Sequence, residues 1–176
     1  MLSSPRLVLR PVEPADAGPL TALLAGDSDG IAMTANIPDP ATEEGTRAWI
    51  TRLRENGSPT WSAWTVVERR TGRPVGVVGS VDADSPADTW PEIGYWIGLA
   101  HRYQGFGGEA VAALLTHLAE TGAGGAVAEV FPDNAASLAL LRRLGFRDSG
   151  VVERDLPLRG GLRRLLRLVI DGPPFR

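Results

Sequence analysis

The stretch Glu92-Ile93-Gly94-Tyr95-Trp96-Ile97, then Arg102-Tyr103-Gln104-Gly105-Phe106-Gly107-Gly108-Glu109, then Ala110-Val111-Ala112-Ala113-Leu114-Leu115 decides the fold. The first segment is apolar and reads as a strand, and the last reads as a helix. A glycine-rich turn between them opens that helix. Such a turn aims free backbone N–H groups and the positive end of the helix dipole at one small volume. That suits a pyrophosphate. Gly105 and Gly107 both allow positive φ and a close main-chain approach to an anion. Arg102 adds a fixed positive charge at the rim. The letters also fit the dinucleotide pattern G-x-G-x-x-A through Gly105, Gly107 and Ala110. Glu129 lies where that pattern expects a ribose-binding acid.

A second segment runs from Val130 to Phe146. Residues Ala126 to Phe131 read as a short buried strand. Asn134 is an N-cap, Leu138, Leu141 and Leu144 repeat at helical spacing, and Gly145 stops the helix.

The spacing Arg102-x-x-Gly105-x-Gly107 resembles the acetyl-CoA pyrophosphate loop of the GNAT N-acetyltransferases. Asn134-x-x-Ser137 with Leu144-Gly145-Phe146 resembles that family's second cofactor segment. Arg6-Leu7-Val8-Leu9-Arg10-Pro11-Val12 with Asp16, Ile37-Pro38-Asp39-Pro40 with Trp49-Ile50, and Glu92 to Trp96 resemble its Rim-type branch, which acetylates protein N-termini. The likeness spans nearly the whole chain. Tyr103 departs from it, standing where the family usually has glycine. Its ring is expected outward or over the cofactor.

The resemblance implies acetyl-CoA as acetyl donor, held by Ile97, Leu99, Arg102, Tyr103, Gln104, Gly105, Phe106, Gly107, Gly108, Asn134 and Ser137. It implies an oxyanion donor on the 92–97 strand, Ser137 as partner of the thiol, and Asn36 and Trp61 at the acceptor. An amine must lose a proton before attack, and a carboxylate can accept it. Glu92 is the first candidate, on the opposite pleat from Ile93, Tyr95 and Ile97. Glu153 and Asp155 are reserves. Near the sulfur, the Ser137 hydroxyl can donate without holding a charge. His101 reads as structural and His117 as surface.

The elements read in order as a strand at 7–12, helices at 17–25 (capped by Asp16) and 43–56 (capped by Thr42), and a hairpin at 61–69 and 74–81. A strand at 92–97, a helix at about 108–121, a strand at 126–131, a helix at 135–144 and a hairpin at about 150–156 and 162–170 follow. Gly26 to Pro40 reads as loop. Hairpins at both ends argue against a doubly wound sheet. The expected fold is α/β, a GNAT-like mixed and mostly antiparallel sheet of about six or seven strands with helices on both faces.

With 176 residues, one domain over 1–176 is expected. A net charge of −3 gives no reason to expect nucleic acid. All 18 basic residues are arginine, which removes lysine Schiff-base chemistry. With no cysteine there is no disulfide, thiolate zinc site or cysteine nucleophile. Two histidines are too few for a histidine-rich metal site, and no metal is expected. No stretch reads as a membrane span or secretory signal, so a cytoplasmic protein is expected. The resemblance implies a small-molecule or peptide amine as acceptor, and the oligomeric state stays open. Two alternatives remain: a non-catalytic acyl-CoA-binding or sensing domain, and a nicotinamide-dependent dehydrogenase.

Overall fold

The computed structural model describes residues 1–55, 61–82 and 90–172. Its strands are β1 (Leu2–Ser3), β2 (Leu7–Pro11), β3 (Trp61–Glu68), β4 (Arg73–Val81), β5 (Glu92–Ile97), β6 (Gly125–Val130), β7 (Arg147–Leu156) and β8 (Gly161–Asp171). The α-helices are α1 (Ala17–Leu24), α2 (Ser28–Ala32), α3 (Glu43–Glu55), α4 (Phe106–Glu120) and α5 (Ala135–Arg143). One eight-stranded sheet takes the order β1-β2-β3-β4-β5-β6-β8-β7. The expected mixed α/β fold is observed. The short β1, pairing Leu2 with Leu9, extends the sheet beyond seven strands.

Alternation along the strands builds two cores. Leu7, Leu9, Val66 and Ile93 face α4 and α5, packing with Leu114, Leu118 and Leu141. Val77 and Trp96 face the other way, toward Leu20, Ile31, Trp49 and Ile50 of α1 to α3. A fully buried leucine contributes roughly 1.5–3 kcal/mol. A register shift between Val66 and Val67 leaves Val75 as an extra residue in β4, between partners Pro74 and Gly76. That bulge brings Val75 and Val78 to the same core.

Every neighbouring pair is antiparallel except β5 with β6, which run parallel and pair only at Glu92 and Val127. The Val127 N–H donates to the Pro91 carbonyl at 2.9 Å, and beyond this point the strands part. The Gly98 N–H donates to the Val75 carbonyl at 2.9 Å. That bond sets the phase of β5: the main-chain groups of Ile93, Tyr95 and Ile97 turn toward the parting. A dinucleotide fold needs repeated parallel crossover units. With one parallel pair, this sheet does not supply them, and the dehydrogenase alternative falls.

Three local expectations change. Gly26 to Pro40 contains α2. The Asp16 carboxylate makes no cap bond to α1; it accepts from Arg10, Thr65 and the Glu13 N–H. Burial opposes its ionised form, but those donors hold its pKa below the ordinary value. His117 packs edge-on against Trp64, with ring centroids 5.6 Å apart, so it is part of the core margin and not plain surface. Thr42 does cap α3, accepting from the Gly45 N–H at 3.0 Å.

Candidate functional site

The glycine-rich turn leads into α4 with Gly105 as its N-cap at φ 83. Tyr103 also takes a left-handed φ of 58, and its side chain is 95% exposed. That backbone is the one glycine adopts freely, and the ring lies outward as expected. Gly107 does not use the positive φ that a glycine allows. A Cβ there would stand 3.2 Å from Leu140 and 3.6 Å from Ile97, so the glycine permits close packing.

Of the loop's side chains, Arg102 and Phe106 turn inward, while Tyr103 and Gln104 stay exposed. Arg102 pairs with Asp27, which is 3% exposed, and donates from Nε to the Ile97 carbonyl at 2.9 Å. The fixed positive charge expected at the rim is therefore paired with a buried carboxylate. Gln104 Nε2 donates to the Ala100 carbonyl, and Phe106 enters the core beneath the Arg6 guanidinium. Leu99 is exposed in the turn before the loop. Arg6 donates to Glu109 at 2.7 Å and to the Gln104 carbonyl at 2.9 Å, bracing the turn from outside. Burial works against the Glu109 charge, yet bonds from Ser4 and Arg6 keep its pKa below the ordinary value. The surface left to an anion is main-chain N–H at a helix start.

Where β5 and β6 part, a cleft of about 710 Å³ passes through the sheet. Tyr95, Asn134 and Ser137 line it on the α4–α5 face. Glu92, Asn36, Trp49 and Glu129 line it on the α1–α3 face. The candidate base and the candidate thiol partner thus share one cleft from opposite faces. Glu92 is half-buried there. Glu153 and Asp155 are exposed, on the opposite pleat from the cleft residues Arg154 and Leu156. Trp61 begins β3, and its side chain lies outside the described part of the molecule.

Asn134 accepts from the Ser137 N–H at 3.1 Å, so the cap exists and fixes Ser137 in the first turn of α5. Tyr95 reaches toward Ser137 from β5. Burial raises its phenol pKa, and the Ser137 side chain acts in the opposite sense. Among the described residues, Tyr95 Oη and Trp49 Nε1 are the two buried side-chain polar atoms that no hydrogen bond satisfies. Both residues line the cleft.

The α1–α3 face is braced by long-range polar contacts. Arg154 grips the buried Glu129 through Nε at 2.8 Å and Nη2 at 2.5 Å. Asp27 also accepts from Trp96 Nε1 at 3.1 Å. Arg159, in the turn between β7 and β8, donates to the carbonyls of Ile31, Thr34 and Ile37 at 2.9, 2.6 and 2.6 Å. Sequence reasoning missed Asp27, Arg159 and the polar role of Tyr95. Only Tyr95 carried a signal, a hydroxyl on the otherwise apolar Ile93–Ile97 pleat.

Comparison with known proteins agrees with this geometry. The acetyltransferase (GNAT) domain model matches residues 6–147. A protein of Bacillus subtilis (strain 168), the uncharacterized protein YkkB, is 29% identical over 156 residues, covering 87% of this chain and 88% of its own. RimL, a ribosomal alpha-N-protein acetyltransferase solved with coenzyme A, has a TM-score of 0.78 at 24% identity over 96% of this chain and 95% of its own. The Microcin C7 self immunity acetyltransferase MccE, solved with acetyl-CoA and AMP, has a TM-score of 0.79 at 19% identity over 96% and 94%.

Proposed function

The chain belongs to the GNAT acetyltransferase family, and on that premise we propose that it moves an acetyl group from acetyl-CoA directly to a primary amine within a ternary complex. One observation carries this reading: the cleft crosses the sheet and presents Ser137 on one face and Glu92 on the other. Two substrates approaching from opposite faces meet at the parting of β5 and β6.

In this reading the first N–H groups of α4 and the loop at 102–108 hold the pyrophosphate. The pantetheine arm follows the open edge of β5, with Asn134 and Ser137 near its end. The Tyr95 main-chain N–H, freed by the parting, supplies the oxyanion donor. Glu92 takes the amine's proton, directly or through water. The carbon–sulfur bond breaks and its electron pair stays on sulfur, hydrogen-bonded by Ser137. The chain has no cysteine or lysine to carry the acetyl group, which favours direct attack.

For the acceptor we favour the α-amine of a peptide. Trp49 lines this half of the cleft with a buried donor that has no acceptor; a peptide brings a carbonyl oxygen next to its amine, which meets that donor when the indole shifts toward the cleft. The backbone likeness to RimL supports the Rim-type branch in the same sense. MccE keeps a small-molecule amine as the second reading. We also infer one domain, acting in the cytoplasm, where CoA thioesters are available. Among the described residues, no helix is long and apolar enough to cross a membrane, and no cluster of metal ligands forms.

The test is CoA release measured across peptides with free N-termini, amino acids and polyamines. Peptides should turn over fastest, with intersecting reciprocal lines when both substrates are varied. Parallel lines and a trapped acetyl-enzyme overturn direct transfer. Tight CoA binding with no turnover of any amine favours the non-catalytic binding domain.

A further inference from the structure

We propose that Tyr95 is a positioning residue whose buried hydroxyl orients the Ser137 hydroxyl toward the sulfur of the bound thioester; this rests on the acetyltransferase reading above. Tyr95 sits where three cofactor elements converge. It belongs to β5, and its ring approaches the start of α4, with Cε2 4.0 Å from where a Cβ on Gly107 would stand. Tyr95 and Ser137 line the same side of the cleft, near enough for the Ser137 side chain to act on the phenol without a well-formed hydrogen bond between them.

A buried hydroxyl without a hydrogen bond costs about 1–3 kcal/mol and calls for a reason. Tyr95 Oη is such a group. Its neighbour Ser137 is half-buried and reaches the cleft, whereas Tyr95 Oη is enclosed. The cap bond of Asn134 uses the Ser137 main-chain N–H and leaves its hydroxyl free to rotate. A hydroxyl both donates and accepts. A sulfur arriving in the cleft gives Ser137 something to donate to. The Ser137 oxygen then presents its lone pairs to Tyr95, and the chain Tyr95–Ser137–sulfur closes. The loose pair in the free protein becomes a satisfied one in the complex.

Neither hydroxyl gives up its proton. As the amine attacks, the electron pair of the breaking carbon–sulfur bond stays on sulfur, and the amine's proton leaves by the separate route through Glu92 or water. Tyr95 polarises Ser137, strengthening the bond to the developing thiolate. Burial keeps the phenol protonated and so able to donate.

The experiment is a double-mutant cycle on the full chain with Tyr95→Phe, Ser137→Ala and both together. Tyr95→Phe should lower kcat roughly tenfold while the acetyl-CoA KM stays within about twofold. The double variant should be no slower than Ser137→Ala alone. The unfolding midpoint of Tyr95→Phe, a change that removes an unsatisfied polar atom, should hold or rise, which separates positioning from a structural role. Wild-type kcat in Tyr95→Phe or in Ser137→Ala overturns the proposal. So does a Tyr95→Phe loss that persists undiminished in the Ser137→Ala background. Wild-type protein that neither binds CoA nor turns over any amine overturns the acetyltransferase reading as well, so the two failures are distinguishable.

Discussion

The two faces of the sheet are built on different principles. On the α4–α5 face the elements proposed to hold the cofactor are continuous pieces of chain: a turn and the helix it opens, then a cap and its serine three residues on. On the α1–α3 face the acceptor cleft is assembled from scattered positions, among them Asn36, Trp49, Glu92, Glu129 and Arg154. In the proposed reading, one face offers backbone donors to a ligand whose phosphates never change. The other offers side chains, held by ion pairs that cross long stretches of sequence. A fixed ligand is met by local geometry, and a particular one by tertiary placement.

Arg102→Glu gives the largest expected effect and tests where the faces join. Arg102 begins the cofactor loop, yet its charge is spent on Asp27 beneath α2. Reversal sets two carboxylates together in a buried place and should cost about 3–5 kcal/mol in urea unfolding. CoA affinity should fall with it, by calorimetry. Unchanged stability with weakened CoA binding would mean that Arg102 serves the phosphates alone, and the two faces would be less coupled than described.

Glu92→Gln comes next and should separate the faces by kinetics. Loss of the proton acceptor should lower kcat about 10²-fold and change its rise with pH. CoA affinity should stay at the wild-type value. A wild-type pH–rate profile would move the base to water in the cleft.

Trp49→Phe is the smallest and sharpest of the three. It deletes a donor that has no partner but also shrinks a side chain buried in the α1–α3 core, so it should cost about 1–2 kcal/mol in urea unfolding. The acceptor KM should rise a few-fold and the acetyl-CoA KM should not move. A change in the acetyl-CoA KM would show that the division between the faces is not functional.

The same contrast explains what the sequence disclosed. The start of α4, the Asn134 cap and the Gly145 stop each rest on contacts within a few residues, and each was legible. The order of strands followed from alternation and turn signals. The direction of the Arg102 side chain was not legible, because its partner lies 75 residues away. Gly107 looked like a left-handed glycine until Leu140 showed that space was the constraint. The α2 helix hid in Gly26 to Pro40, because it is short and the arginines that hold it, Arg102 at the preceding Asp27 and Arg159 at the Ile31 carbonyl, come from distant turns. Glu153 and Asp155 looked equivalent to any cleft acid until the pleat of β7 turned them outward.

Arg159 has a further consequence. One guanidinium collects three carbonyls from the segment at 31–37 and ties them to the last hairpin. The outline of the proposed acceptor mouth is therefore written in a turn more than a hundred residues downstream. A lineage changing its acceptor has a route that touches no lining residue: lengthen or reshape the 157–161 turn, and the mouth is redrawn while the donor's half is inherited intact.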